Sequence, residues 1–213
     1  MAPDPPWLRR AASLFSRTGT FTCETHETWR KLEIPVVHAF APPLEPGRRT
    51  RIERALPHRL PPDLQAFYDR CDGALLYTRS MRPGEAQGLA IFPLSELTSR
   101  HRRAVREMSD GPESLPERCL VFGEPVASGN YLALDAKARG REKSVLYLDH
   151  ETLFEPEPPR PLFRSFRALL EAAMKDPARL LNDRLGCFAR YSDGKTERQW
   201  IPLRYRPDQS DGA

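Results

Sequence analysis

Five short apolar segments follow one another between residues 74 and 149, and a single predicted helix interrupts the series. The segments are Ala74–Tyr77, Leu89–Phe92, Cys119–Phe122, Tyr131–Asp135 and Ser144–Asp149. Strands that follow one another along the chain pair antiparallel, whereas parallel strands need long crossover connections that are usually helical. We therefore predict an α+β fold, with a largely antiparallel central sheet and helices packed against it.

The helices on either side of these strands are predicted from the spacing of apolar residues. The first apolar face follows Pro62 and consists of Leu64, Phe67, Tyr68 and Cys71. Gly73 ends this helix, because glycine adopts the left-handed conformation without a steric penalty. The clearest amphipathic face lies later in the chain and consists of Phe166, Leu169, Leu170, Ala173 and Met174. We expect both faces to be buried between helices and sheet.

Three parts of the chain are predicted from the positions of these elements. Residues 1–44 form an N-terminal extension, residues 45–185 form the α+β domain, and residues 186–213 form a C-terminal appendage. The appendage contains Asp193-Gly194, a strong signal for a two-residue hairpin. At 213 residues, the chain is long enough to bury a core without disulfide or metal cross-links.

Apolar runs and cysteines give expectations about location. No apolar run approaches the ~18 residues of a membrane-spanning helix, and we recognise no secretory signal. The four cysteines, Cys23, Cys71, Cys119 and Cys187, lie far apart and form no C-x-x-C pair. Such a pattern suggests reduced thiols. We therefore expect a cytoplasmic protein that does not bind membranes.

The formal net charge of +4 is distributed unevenly. Residues 1–60 carry ten basic and six acidic side chains, residues 61–135 carry eight and eleven, and residues 136–213 carry fifteen and twelve. The middle of the chain is therefore acidic. Nucleic-acid binding draws its affinity from clustered basic groups, so this distribution argues against nucleic acid as the partner.

The densest basic segment, Arg100–Arg106, falls on a predicted helix and contains four arginines. Acidic residues surround it at Glu96, Glu107 and Asp110. One interpretation is a solvated helix face whose charges offset one another. The other is a contact surface for nucleic acid or an acidic partner. Both interpretations stay open at this stage.

Motifs for catalysis and for metal or nucleotide binding are incomplete. His26-Glu27 and His150-Glu151 begin like the H-E-x-x-H zinc motif, but each lacks the second histidine. Cys23-x-x-His26 has half of a zinc-site spacing and no second local pair. Residues 189–196 imitate a relaxed phosphate-binding loop, but a turn rather than a helix is predicted there. We predict no catalytic, cofactor-binding or metal-binding residues, and therefore no enzyme.

Four segments, taken in order along the chain, carry further short motifs. The first is Leu60–Gly73, with its Leu-Pro-x-Asp start, its Phe-Tyr pair and its Asp-Gly turn. The second is Leu89–Leu97, which ends in Pro-Leu-Ser-Glu-Leu, and the third is Leu120–Asp135, with its Phe-Gly and Gly-Asn pairs. The fourth is Val145–Asp149 followed by Ser165–Leu170. Together they resemble the motifs of the SUKH superfamily of cell-wall-assembly regulators and bacterial immunity domains, and the resemblance covers roughly residues 45–176.

This resemblance implies a non-enzymatic α+β binding domain. In bacteria such domains are commonly immunity proteins that bind and neutralise a cognate toxin, so a toxin is the first partner expected. We therefore predict a protein-binding domain that acts by stoichiometric occlusion of a toxin. A regulatory scaffold that uses the same domain is the alternative. A more distant alternative is a nucleic-acid-binding protein that acts through Arg100–Arg106.

Four polar residues are candidates for contact with the partner, namely Asp72, Glu124, Asn130 and Asp135. Asp72 precedes the turn at Gly73, and the other three flank a predicted strand–loop–strand connection. Loops held by a rigid sheet often carry recognition residues. All four residues also belong to the acidic middle of the chain. We therefore predict that they bind the partner.

Overall fold

A computed structural model of the chain describes residues 5–15, 21–26, 31–78, 88–108, 119–126, 128–136, 143–150, 161–175 and 180. The strands in this part of the chain are β1 (Phe21–His26), β2 (Lys31–Phe40), β3 (Ala74–Thr78), β4 (Leu89–Ile91), β5 (Cys119–Pro125), β6 (Tyr131–Asp135), β7 (Val145–Leu148) and β8 (Pro161–Phe163). The helices are α1 (Pro6–Phe15), α2 (Pro46–Ala55), α3 (Pro62–Tyr68), α4 (Leu97–Glu107) and α5 (Phe166–Lys175).

The strands lie side by side in the same order as in the sequence. Strands β2 to β8 form the main sheet, β1 extends it beyond β2, and every neighbouring pair is antiparallel. Helices α2 and α3 connect β2 to β3, α4 connects β4 to β5, and α5 follows β8. The predicted α+β class with a largely antiparallel sheet is confirmed.

Strand β2 takes part in two strand pairs along its length. Its residues 31–36 pair with β1, whereas Val37–Phe40 pair with β3. Helix α1 packs against α5 and buries Trp7, Leu8 and Ala11 in the core. Residues that the sequence assigned to an N-terminal extension thus contribute two strands and a helix to the same sheet and core. The predicted appendage at residues 186–213 lies outside the described residues.

Three aromatic rings meet where the helices pack on the sheet: Phe67 from α3, Phe122 from β5 and Phe166 from α5. The ring of Phe166 lies 5.4 Å from that of Phe67 and 5.6 Å from that of Phe122, both edge to face, which is a favourable geometry for aromatic pairs. The apolar faces predicted for α3 and α5 are buried through Leu64, Phe67, Tyr68, Cys71, Phe166, Leu169, Leu170 and Ala173. Met174, the last residue of the predicted α5 face, is half-buried. This part of the predicted core is confirmed.

The turn after α3 depends on Gly73, which has a φ of +89°. A Cβ atom at this position would lie 2.7 Å from the backbone nitrogen of Pro93 and 2.8 Å from the carbonyl oxygen of Ile91. Any larger residue would therefore clash with the backbone that follows β4, in addition to the cost of a left-handed conformation. The close approach holds the turn against the start of the segment that leads into α4.

Candidate protein-interaction surface

The structure separates the four predicted contact residues. Gly123 of β5 pairs with Leu132 of β6, so Glu124 and Asn130 lie toward the same end of this strand pair. Asp135 pairs with Cys119 at the opposite end, about 17 Å away at roughly 3.4 Å per residue. Asp72 lies in the turn between α3 and β3. The four residues therefore do not form one cluster.

Asp72 is buried and binds the segment that precedes α4. Its Oδ1 accepts the backbone N–H of Leu94 at 2.6 Å and that of Ser95 at 3.4 Å, and its Oδ2 accepts the Ser95 hydroxyl at 2.8 Å. Buried carboxylates are stable when such donors surround them. The geometry gives Asp72 the role of fixing the approach to α4.

Asn130 is also buried and joins the ends of β6 and β7. Its side-chain amide donates to the hydroxyl of Tyr147 at 2.6 Å, and its Oδ1 accepts the backbone N–H of His150 at 3.0 Å. Its own backbone N–H donates to the hydroxyl of Ser128 at 3.1 Å. These bonds occupy the polar atoms of the side chain and fix the connection around Gly129.

Asp135 ends β6 and is half-buried. Its backbone N–H donates to the carbonyl oxygen of Ser144 at 2.9 Å, which extends the pairing of β6 with β7 by one bond. The residue therefore lies at the edge of regular structure, where a side chain can reach a partner.

Glu124 is half-buried on β5, opposite Ala90 of β4. Burial raises the pKa of its carboxyl group, although the guanidinium groups of Arg100 and Arg103 act in the opposite direction. Glu107 adds a smaller repulsion that also raises this pKa. Glu124 thus lies next to α4, and it lies beside the basic segment that the sequence analysis treated as a separate feature.

Helix α4 packs on β5 through its buried residues Leu97, His101 and Ala104. A bulge interrupts the register of β5 with β6 between Val121 and Gly123. The backbone N–H of Val121 lies 3.5 Å from Nδ1 of His101, in the direction of a hydrogen bond. His101 is therefore an internal residue of the α4–β5 packing, and it does not belong to the exposed basic face that the sequence suggested.

The arginines of α4 fall into two groups. Arg100 Nε binds Glu96 at 3.1 Å, and Arg103 Nε binds Glu107 at 2.7 Å. Arg102 and Arg106 are exposed, and no ion pair joins either of them to another residue that the structure describes. Half of the predicted basic cluster is therefore already bound to carboxylates of the same helix.

Tyr131 links the helix to the sheet. Its hydroxyl donates to Oε2 of Glu107 at 2.5 Å, while Oε1 of the same carboxylate binds Arg103. Two hydrogen bonds lower the pKa of Glu107, and the bond from Tyr131 has a larger effect than the bond from Arg103. The pKa of Tyr131 is raised, mainly because the hydroxyl is desolvated and secondly because it is bonded to Glu107. The hydroxyl therefore remains protonated and holds α4 to β6.

We call this set of residues the α4–β5 charged surface, and it consists of Arg100, Arg103, Glu107, Glu124 and Tyr131. The sequence analysis named Glu124 as a contact residue and Arg100–Arg106 as a basic segment, but it did not bring them together. It missed Tyr131 as a polar partner, because the residue reads as an apolar strand position. The spacing of Arg103 and Glu107 by four residues was the available signal for their pairing.

Within the described ranges, no group of three or more His, Cys, Asp or Glu residues could hold a metal ion. None of the helices described is long and apolar enough to cross a membrane. The α4–β5 charged surface itself offers a ligand hydrogen bonds and charge, held by packed secondary structure.

The family model for the SMI1/KNR4 family (SUKH-1) matches residues 48–172, which is more than half of the chain. The match begins in α2, ends in α5, and includes every residue of the α4–β5 charged surface. No curated protein matches the sequence.

Proposed function

The chain belongs to the SMI1/KNR4 family (SUKH-1), and from this we propose that it is a non-enzymatic protein that binds and neutralises a cognate toxin in the cytoplasm. Domains of this family are toxin-immunity or regulatory domains and are generally non-catalytic. Neutralisation by binding needs a surface that is rigid before the partner arrives, because ordering side chains on binding costs affinity.

The observation that carries the proposal is the anchoring of the α4–β5 charged surface. Arg103, Glu107 and Tyr131 form a continuous chain of hydrogen bonds from the helix to the sheet. Helix α4 is also packed on β5 by its buried face. Charged groups that are held in place give specificity and fast association with a partner of complementary charge.

The predicted contact residues take different roles in this proposal. Glu124 and Asp135 are half-buried and reach the surface, so we propose that they touch the partner. Asp72 and Asn130 are buried and bonded within the domain, so we propose that they position the segments that carry contact residues. Replacing Asp72 or Asn130 would then weaken binding through the shape of the domain.

The proposal is tested by co-expressing the chain with the product of the adjacent gene in bacteria. If the adjacent gene encodes the toxin, the wild-type chain restores growth and forms a complex that survives gel filtration. Glu124→Arg should reduce the rescue, whereas Glu171→Gln on α5 should not. Growth arrest by the adjacent product that the wild-type chain fails to relieve would count against toxin neutralisation.

The regulatory reading is the alternative, because regulators occur in the same family. It predicts a stable complex with a protein whose expression does not arrest growth. Toxin neutralisation and regulation both require a protein partner. The co-expression experiment therefore distinguishes them by whether the partner arrests growth and not by whether it binds.

A further inference from the structure

The charges of the α4–β5 charged surface and its neighbour Glu96 do not cancel. Arg100 binds Glu96 and Arg103 binds Glu107, which leaves one carboxylate over. That carboxylate is Glu124, which no hydrogen bond or ion pair joins to another residue in the described part of the chain. Within this set, Glu124 is therefore the carboxylate without a bonded cation, while Arg102 and Arg106 of the same helix are exposed.

The position of Glu124 makes this charge costly in the isolated protein. The side chain is half-buried, and its pKa is raised, chiefly by burial, although the two nearby arginines lower it. A carboxylate that loses water without gaining a donor loses more free energy than one that is bonded. A cationic group from outside would replace the lost hydration with a charge-assisted hydrogen bond.

The neighbouring side chains leave the Glu124 carboxylate available for such a group. The Tyr131 hydroxyl is already bonded to Glu107, so it does not compete for Glu124. The guanidinium of Arg100 lies 5.2 Å from the centre of the Phe92 ring, and its Nε binds Glu96. Both groups are thus held in contacts of their own.

We propose that Glu124 is the anchor for an arginine or lysine side chain of the protein partner. The proposal rests on the proposed function, since it assumes that the chain binds a protein, and it adds the chemistry of the partner. It reverses the interpretation suggested by the sequence, in which the arginines of α4 would attract an acidic partner. An arginine fits best, because its planar fork can bind both carboxylate oxygens.

The test uses random peptides displayed on phage and selected on the immobilised full-length chain. Peptides recovered on the wild type should be enriched in arginine and lysine. Their recovery should fall about tenfold or more on Glu124→Gln, the loss expected when a partly buried charge pair loses one member. Glu171→Gln changes the net charge equally and should have no effect, because Glu171 binds Arg167 on another helix. Glu124→Asp keeps the charge and should keep the preference for basic peptides.

Three results would overturn the proposal. The first is recovery of basic peptides that Glu124→Gln leaves unchanged, and the second is no enrichment of basic peptides at all. The third is a selection dominated by acidic peptides that are lost on replacing Arg102 and Arg106 with alanine. A thermal unfolding midpoint for Glu124→Gln at or above that of the wild type shows that the variant folds. The selection needs no toxin, so failure of the growth rescue and failure of this anchor are distinguishable.

Discussion

The carboxylate of Asp63, in the first turn of α3, accepts the backbone N–H of Arg167, in the first turn of α5, at 2.8 Å. Its other oxygen accepts the backbone N–H of Leu64 at 3.0 Å. The first turn of a helix has N–H groups without partners inside the helix. One buried carboxylate therefore serves the starts of two helices that lie about a hundred residues apart in the sequence.

Asp63→Ala should lower the free energy of unfolding by about 1–3 kcal/mol, because it leaves buried donors without acceptors. Urea denaturation at neutral pH measures the change. Ser165→Ala offers a comparison, since the Ser165 hydroxyl accepts the N–H of Ala168 at 3.2 Å in the same helix start. It should cost about 0.5–2 kcal/mol, as helix N-caps do. An Asp63→Ala protein as stable as the wild type would show that water replaces the carboxylate at no cost.

Phe166→Ala should lower the free energy of unfolding by about 3–5 kcal/mol, the usual cost of truncating a buried phenylalanine. Phe166 is fully buried and contacts the rings of Phe67 and Phe122. Phe163→Ala is the control, because Phe163 lies on β8 at the sheet edge and is only half-buried. The two denaturation midpoints should therefore differ clearly. Equal midpoints would mean that α5 does not pack as described.

Local sequence pattern was sufficient for the elements whose apolar face is set by neighbouring residues. The helical spacing of Leu64 and Phe67, and of Phe166 and Leu169, predicted α3 and α5, and both faces are buried. The turn at Gly73 was predicted from the need for a left-handed residue, and its φ is positive. In these cases the information lies within a few residues along the chain.

Contacts between residues that are far apart in the sequence could not be predicted from local sequence pattern. The bond from Asp63 to Arg167 joins the two ends of the domain, and no local pattern marks it. Strand β8 was not predicted from the sequence, because it owes its strand form to pairing with β7. The contact between Glu107 and Tyr131 likewise depends on how α4 packs on the sheet. The sequence therefore indicated Glu124 and the arginines of α4 as separate features, and it is the fold that brings them together in one surface.

Two buried tyrosine hydroxyls bond backbone carbonyls and should each contribute to stability. Tyr68 donates to the carbonyl of Phe92 at 2.8 Å, and Tyr77 donates to that of Ala173 at 2.6 Å. Tyr68→Phe and Tyr77→Phe should each lower the free energy of unfolding by about 1–2 kcal/mol, the cost of a lost buried hydrogen bond. Chemical denaturation of the two single variants and the double variant checks this. The effects should add, since the two bonds share no partner.

Glu124→Gln should raise the stability of the isolated chain while it weakens partner binding. Burial raises the pKa of Glu124 in the folded state above its value in the unfolded state. The ionised carboxylate therefore opposes folding, and this effect disappears as the pH falls through the raised pKa. Thermal unfolding of wild type and variant across a pH series measures it. The variant should be more stable at neutral pH, and the difference should shrink toward acidic pH. A variant that is less stable at neutral pH would show that the carboxylate has a favourable partner in the fold.

The ion pairs of α4 also bear on the nucleic-acid alternative. Affinity for DNA or RNA comes from neutralising phosphates with Lys and Arg, and it falls steeply with salt in proportion to the number of contacts. Arg100 and Arg103 are already paired with glutamates, so Arg102 and Arg106 are the arginines of this helix left for phosphates. Two contacts give a weak interaction, and we expect no sub-micromolar binding of duplex DNA or RNA near physiological salt.

Filter binding at several salt concentrations measures this, with wild type beside an Arg102→Ala, Arg106→Ala double variant. The expected result is weak binding by both proteins and a shallow salt dependence. Tight binding by the wild type, with a steep salt dependence that the double variant loses, would favour nucleic acid over a protein as the partner.

The same double variant should bind basic peptides at least as well as the wild type. The reason is that removing two exposed positive charges from the helix beside Glu124 reduces repulsion of a cationic ligand. If nucleic acid is the partner, the double variant should lose nucleic-acid binding. If a basic protein segment is the partner, the same variant should keep or improve peptide binding. The two assays therefore distinguish the two classes of partner.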